Sequence, residues 1–219
     1  MNYAQLVVAV TDYTENTVPT ANMNTFITQA EQRIYNTVQF PSIRKNVTGT
    51  TTASNKYLSC PDDFLAVYSM AVIDGTGAYE YLLNKDVNFI RQAYPTPTDT
   101  AIPKYYALFG PAVASSVISN ELSFILGPTP DAGYSVELHY YYYPESIVTA
   151  STTWLGDNFD TVLLYGALVE AYTYMKGETD MLALYDGKYK EALALAKRLG
   201  DGMERQDAYR SGQYRQAVT

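Results

Sequence analysis

Histidine, cysteine and tryptophan occur once each among the 219 residues. With His139 alone and mid-strand, the sequence predicts no His-based triad and no multi-histidine metal site. His139 could serve only as a lone general base, and a strand histidine facing neighbouring tyrosines accounts for it without chemistry. One cysteine, Cys60, excludes an intramolecular disulfide framework and favours an intracellular origin. It precedes Pro61 at a strand-to-loop junction with no second thiol or histidine to activate it, so it reads as a small buried residue. No run approaches the ~20 apolar residues that cross a bilayer. The stretch Leu6-Val7-Val8-Ala9-Val10 is too short for a secretory core and is interrupted by Thr11 and Asp12.

Carboxylates are present but badly placed for turnover. Asp62 and Asp63 are adjacent, so on an extended chain they point to opposite sides; a turn with Asx-type backbone bonds explains them better than a catalytic pair. Asp157, Asp160 and Glu170 could be nominated as metal ligands, yet acids at helix starts are stabilised by the helix dipole and need no ion. Gly75-Thr76-Gly77 lacks the third glycine and the following helix of a phosphate loop. The sequence therefore predicts no catalytic, metal or cofactor site.

Charge is also scarce, at 17 % of residues against 47 % apolar. Either copies and partners cover much of the surface, or that surface is an uncharged Ser/Thr/Asn-rich one. The net charge of −8 is uneven: residues 1–187 hold 8 basic and 19 acidic groups, and residues 188–219 hold 7 basic and 4 acidic groups. An acidic body is ill suited to gripping a phosphate backbone and well suited to letting DNA pass without sticking. The basic end can dock on an acidic partner or fray as a solvated terminus.

Tyrosine is what the chain has in abundance, with 22 copies. Tyr134, Val136, Leu138, Tyr140 and Tyr142 alternate with Ser135, Glu137, His139, Tyr141 and Tyr143 ahead of Pro144, a period of two that predicts a strand with one apolar and one amphipathic face. Tyrosine buries area at low rotamer cost and keeps a hydroxyl for a wet edge, so the chain is furnished for contact. Tyr140, Tyr141, Tyr142 and Tyr143 are candidate subunit or tail contacts. Strand tyrosines can also stack on sugars, which leaves a carbohydrate-binding or host-recognition protein as an alternative. A hydrolase whose carboxylates are paired by the fold is a further rival.

Periodicity divides the chain in three. A first helix is predicted from residue 2 to about 14, capped by Asn2. A second opens after Thr20, with Met23, Phe26, Ile27, Ala30, Ile34 and Val38 on one stripe, and stops at Pro41. Between Arg44 and Tyr143 short alternating runs predict about six strands. Val47–Thr52 with Lys56–Leu58 reads as a first strand or hairpin, and Asp74-Gly75-Thr76-Gly77 as a turn between Leu65–Ile73 and Tyr79–Leu83. Asp86–Tyr94 reads as one helix. Asp157 is expected to cap a helix to about Met175, with Gly177 as its left-handed stop. A last helix from Thr179 puts Met181, Leu184, Tyr185, Ala192, Leu195, Ala196 and Leu199 in register and weakens at Gly200 and Gly202. Beyond Met203 few apolar anchors remain, so alone the tail should be disordered or helical only in part. The predicted class is α+β: a discontinuous helical bundle from residues 1–43 and 151–202, a β-rich insertion at 44–150, and an extension at 203–219.

The order of these features is similar to that of tailed-bacteriophage head-to-tail adaptor proteins, especially the tail-tubular-protein-A type. Ala30-Glu31-Gln32-Arg33-Ile34-Tyr35 on the second helix, Leu58-Ser59-Cys60-Pro61-Asp62-Asp63-Phe64-Leu65, Leu126-Gly127-Pro128-Thr129-Pro130-Asp131, Tyr141-Tyr142-Tyr143-Pro144 and Trp154-Leu155 carry the likeness over roughly residues 1 to 200. The resemblance implies a non-enzymatic virion protein of the neck, assembled in the host cytoplasm as a ring of commonly twelve copies. Its implied partners are the portal protein, the tail nozzle protein and itself, with double-stranded DNA passing through unbound and no membrane contact. It also implies that the C-terminal extension reaches the portal. By position and residue type, Arg205, Tyr209, Arg210, Tyr214 and Arg215 are the anchor candidates, because Tyr and Arg dominate interface hot spots.

Overall fold

The computed structural model describes the backbone of all residues except 97, 111–112, 115–116, 119–121 and 211–219, and the side chains of these residues and of 113–114, 117–118 and 201–210 are likewise outside the description. The protein is α+β, with seven α-helices among the described residues and mostly antiparallel sheets. It divides into two compact units, one made of Met1–Ile43 with Tyr143–Thr219, the other of Arg44–Tyr142.

In the first unit, α1 (Tyr3–Thr14) starts at Asn2, whose side chain accepts from the Gln5 amide while the Gln5 side chain accepts from the Asn2 amide. This reciprocal box satisfies two donors that a helix start leaves open. Next come α2 (Thr20–Thr37) and a 3-10 turn at Pro41–Ile43. Thr20 is the first helical residue and does not cap; Pro19 holds that place, with extended backbone and no side-chain cap. The chain returns through α4 (Ile147–Ala150), α5 (Trp154–Asn158), α6 (Asp160–Met175) and α7 (Thr179–Arg210).

Helix α6 is the axis. It packs on α1, α2 and α7 and buries Val162, Leu163, Ala167, Leu168 and Ala171. Gly166 allows the closest approach: a Cβ there would stand 3.1 Å from the Ala30 Cβ and 3.3 Å from the Tyr189 ring. Asp157 does not cap α6. It lies in the short helix α5, and Phe159, at φ −137° and ψ 44°, breaks the two apart. The left-handed stop falls on Lys176 (φ 54°) instead of Gly177. Gly177 is small for another reason, because its Cβ would meet the Tyr172 ring at 2.6 Å.

Gly200 does not end α7. It is buried where a Cβ would stand 3.1 Å from Val38 Cγ1 and 3.2 Å from the Gln39 carbonyl oxygen, and the helix continues to Arg210. Tertiary packing thus overrides a propensity loss of about 1 kcal/mol. The apolar stripe read along α7 is also wider than its seat. Tyr185, Tyr189 and Ala196 are buried, whereas Leu184, Leu195 and Leu199 face outward.

The second unit joins two four-stranded sheets and one helix. The first sheet has the order β1 (Arg44–Thr50), β10 (Ser135–Tyr141), β3 (Ala66–Ile73), β4 (Tyr79–Tyr81). The second has the order β2 (Tyr57–Ser59), β9 (Ser123–Gly127), β6 (Tyr105–Phe109), β5 (Leu83–Asn84), with β5 and β6 parallel. A two-stranded ladder, β7 (Val113–Ala114) with β8 (Val117–Ile118), stands apart from both. The expected first hairpin is not one: β1 pairs with β10 and β2 with β9, in different sheets.

The turn after β3 does form as read. Asp74 Oδ1 accepts from the Thr76 and Ala78 amides and from the Thr76 hydroxyl, and Gly77 takes φ 86°. Met70, Val72, Val136, Leu138 and Tyr140 from the first sheet meet Tyr106, Phe124 and Leu126 from the second in one core. Because β9 is buried on both faces, Ile125 points the other way, against Ile90 of α3 (Val87–Ala93) and Ala107.

Candidate interaction surfaces

The tyrosine run at the end of β10 alternates as its period demands, and its members do different things. Tyr140 is only 1 % exposed. Its ring tilts on Phe64 and its hydroxyl donates to Asp63 Oδ1 at 2.7 Å, so it supports the surface from beneath and offers none itself. Asp63 also receives Lys45 Nζ at 2.7 Å, and that ammonium lies over the Tyr142 ring. On the opposite face the Arg44 guanidinium sits 4.7 Å from the Tyr68 ring centroid, and Tyr68 meets Tyr141 edge-on. Tyr143, in the first unit, donates to Asn36 Oδ1 at 2.5 Å.

Asp63 sits in the turn that the Phe64 amide closes on the Pro61 carbonyl, and its side chain also ties β1 to β10. Burial alone would raise its pKa, but the Lys45 and Tyr140 hydrogen bonds outweigh burial and hold the carboxyl below its usual range. Stability from such a group is present above the unfolded pKa and fades as pH falls through the folded one. Asp63→Ala is expected to cost about 1–2 kcal/mol in urea unfolding, mainly by stranding the Tyr140 hydroxyl, and Asp63→Asn to cost less than about 1 kcal/mol. Equal losses in the two variants would contradict this account.

The open face of the first sheet collects the remaining polar groups. Register places Asn46, His139 and Ser69 in one row, and Thr48, Glu137, Ala71 and Tyr81 in the next. Asn46 Nδ2 donates to Glu137 Oε1 at 2.9 Å, His139 Nε2 lies 3.3 Å from the same oxygen, and Ser69 Oγ is 3.0 Å from His139 Nδ1. His139 thus faces serine and glutamate, not tyrosines. Ser, His and Glu in contact invite comparison with a nucleophile triad. Here they lie across β10 and β3 on an open sheet face, bonded to one another and not sunk in a cleft. Tyr79 and Tyr81, 51 % and 67 % exposed, stack at 6.2 Å beside this network.

Other nominated groups take ordinary structural partners. Glu170 pairs with Arg33, joining α6 to α2. Asp157 and Asp160 occupy the first turns of α5 and α6. Burial pushes the Cys60 thiol up to about 12, so it holds its proton and is a poor nucleophile. A shallow recess of about 490 Å³ in the second unit is lined by Asn84, Lys85, Asp86, Val87, Ala107 and Leu108. Among the described residues no cluster of three His, Cys, Asp or Glu could hold a metal, and no helix is long and apolar enough to cross a membrane.

In the first unit a tyrosine knot binds three helices: Tyr185 of α7 contacts Tyr13 of α1 and Tyr165 and Tyr172 of α6. Desolvation, with Tyr172 second, pushes the Tyr185 hydroxyl up to about 12. Arg205, Tyr209 and Arg210 fall on the last turns of α7, but their side chains lie outside the described residues, as do Tyr214 and Arg215 entirely.

These features define a two-unit α+β protein built for contacts between macromolecules. Residues 1–216 match the model of the SU10 adaptor protein family, and the chain belongs to that family. It is a family of phage head–tail adaptors, so the protein is a structural component of a bacteriophage virion that binds other head and tail components. Such structural adaptors are typically non-enzymatic. No curated protein matches the chain.

Proposed function

We propose that this adaptor is a head-to-tail connector of the tail-tubular-protein-A type, a ring of commonly twelve copies that docks beneath the portal, lengthens the DNA channel and carries the tail nozzle. The reading rests chiefly on the family match, which runs to residue 216 and so includes the C-terminal extension. The acidic body supports it, since a conduit must not hold DNA. We assign Arg205, Tyr209, Arg210, Tyr214 and Arg215 to portal docking, and the partly exposed Tyr141, Tyr142 and Tyr143 to subunit or tail contacts, with Tyr140 holding them from below. The helical unit is the ring body in this reading, the β-rich unit its insertion, and residues 203–219 its docking tail. The neck of the virion is its place, after assembly in the host cytoplasm.

A sugar-binding reading draws on the exposed Tyr79–Tyr81 pair beside Glu137 and Asn46. It is weaker, because these rings lie on a sheet face and the recess lining contains no tyrosine. Electron microscopy of the protein mixed with portal-bearing, DNA-filled heads separates the two. Full-length protein is expected to add a ring below the portal, and a chain ending at Gly200, with its buried α7 contacts intact, is expected to bind at least about tenfold more weakly. Heads left bare by both chains would sink the connector reading, and glycan-array binding through Tyr79 and Tyr81 would then replace it.

A further inference from the structure

We draw no further inference here: the strongest candidate, the outer edge of strand β1 from Asn46 to Thr50 at one side of the first sheet, could pair with any extended segment, and nothing in the structure shows what covers it.

Discussion

Phe124→Ala should destabilise the second unit by about 3–5 kcal/mol, the largest loss expected from any single substitution here. Phe124 is fully buried on β9 and holds Phe64 and Tyr106 edge-on, at centroid distances of 5.4 and 5.9 Å. Truncation removes both aromatic contacts and opens a cavity between sheets whose strands are fixed by their ladders, so relaxation can refill little of it. Hydrogen exchange is the suitable readout, since a chain of two units need not unfold in one step. Amides of β6 and β9 should lose protection by at least about a hundredfold, and those of α6 much less. Undiminished protection in β9 would show that Phe124 is not the keystone of this core.

The second large effect concerns Glu31, which is 2 % exposed on α2. Its carboxylate accepts from the Ile147 amide at 2.9 Å and is bonded by Ser146, so it holds the start of α4. Burial raises its pKa above 4.5, and the Ser146 and Ile147 hydrogen bonds lower it by less. A carboxyl raised in the fold gives its full stability below the unfolded pKa and loses it as pH rises through the folded one. Wild-type stability should therefore fall as pH rises from about 4.5, and Glu31→Gln should flatten this slope because an amide does not titrate, while its oxygen still accepts from Ile147. Glu31→Leu leaves that buried N–H without an acceptor and should cost about 1–3 kcal/mol at every pH. Urea melts at pH 5 and pH 8 decide the matter; a Gln variant that keeps the wild-type slope would assign the pH dependence to other groups.

Local chemistry made much of the fold legible. Asn2 marked the start of α1, Asp74 and Gly77 the turn after β3, and the period of two from Ser135 to Tyr141 the inward and outward faces of β10. The α2 stripe from Met23 to Val38 is buried as its spacing implied. Partners farther along the chain were not legible, because an alternating run states which face is apolar and not which strand it joins. Hence the sequence left β1 and β2 as one strand or a hairpin, and the Ser69–His139 contact, which depends on register across the first sheet, was unforeseen. The sequence showed the local cost of Gly200 but not its distant benefit, access to Val38 and Gln39. The contact surfaces were half visible. Abundant tyrosine announced them, but alternation sends Tyr140 inward, and the outward leucines of α7 were indistinguishable from core until their seat was known.

The placement of the second unit between α2 and α4 has a consequence for synthesis. Helices α1 and α2 emerge first but find their main partner, α6, only after residue 160 has been made. The second unit is complete by Tyr142, once β10 slides between β1 and β3. On the ribosome the inserted unit should thus finish before the bundle that brackets it, leaving the amphipathic α1 and α2 bare for the several seconds that translation of the insertion takes. In that interval these helices are the segment a chaperone would meet.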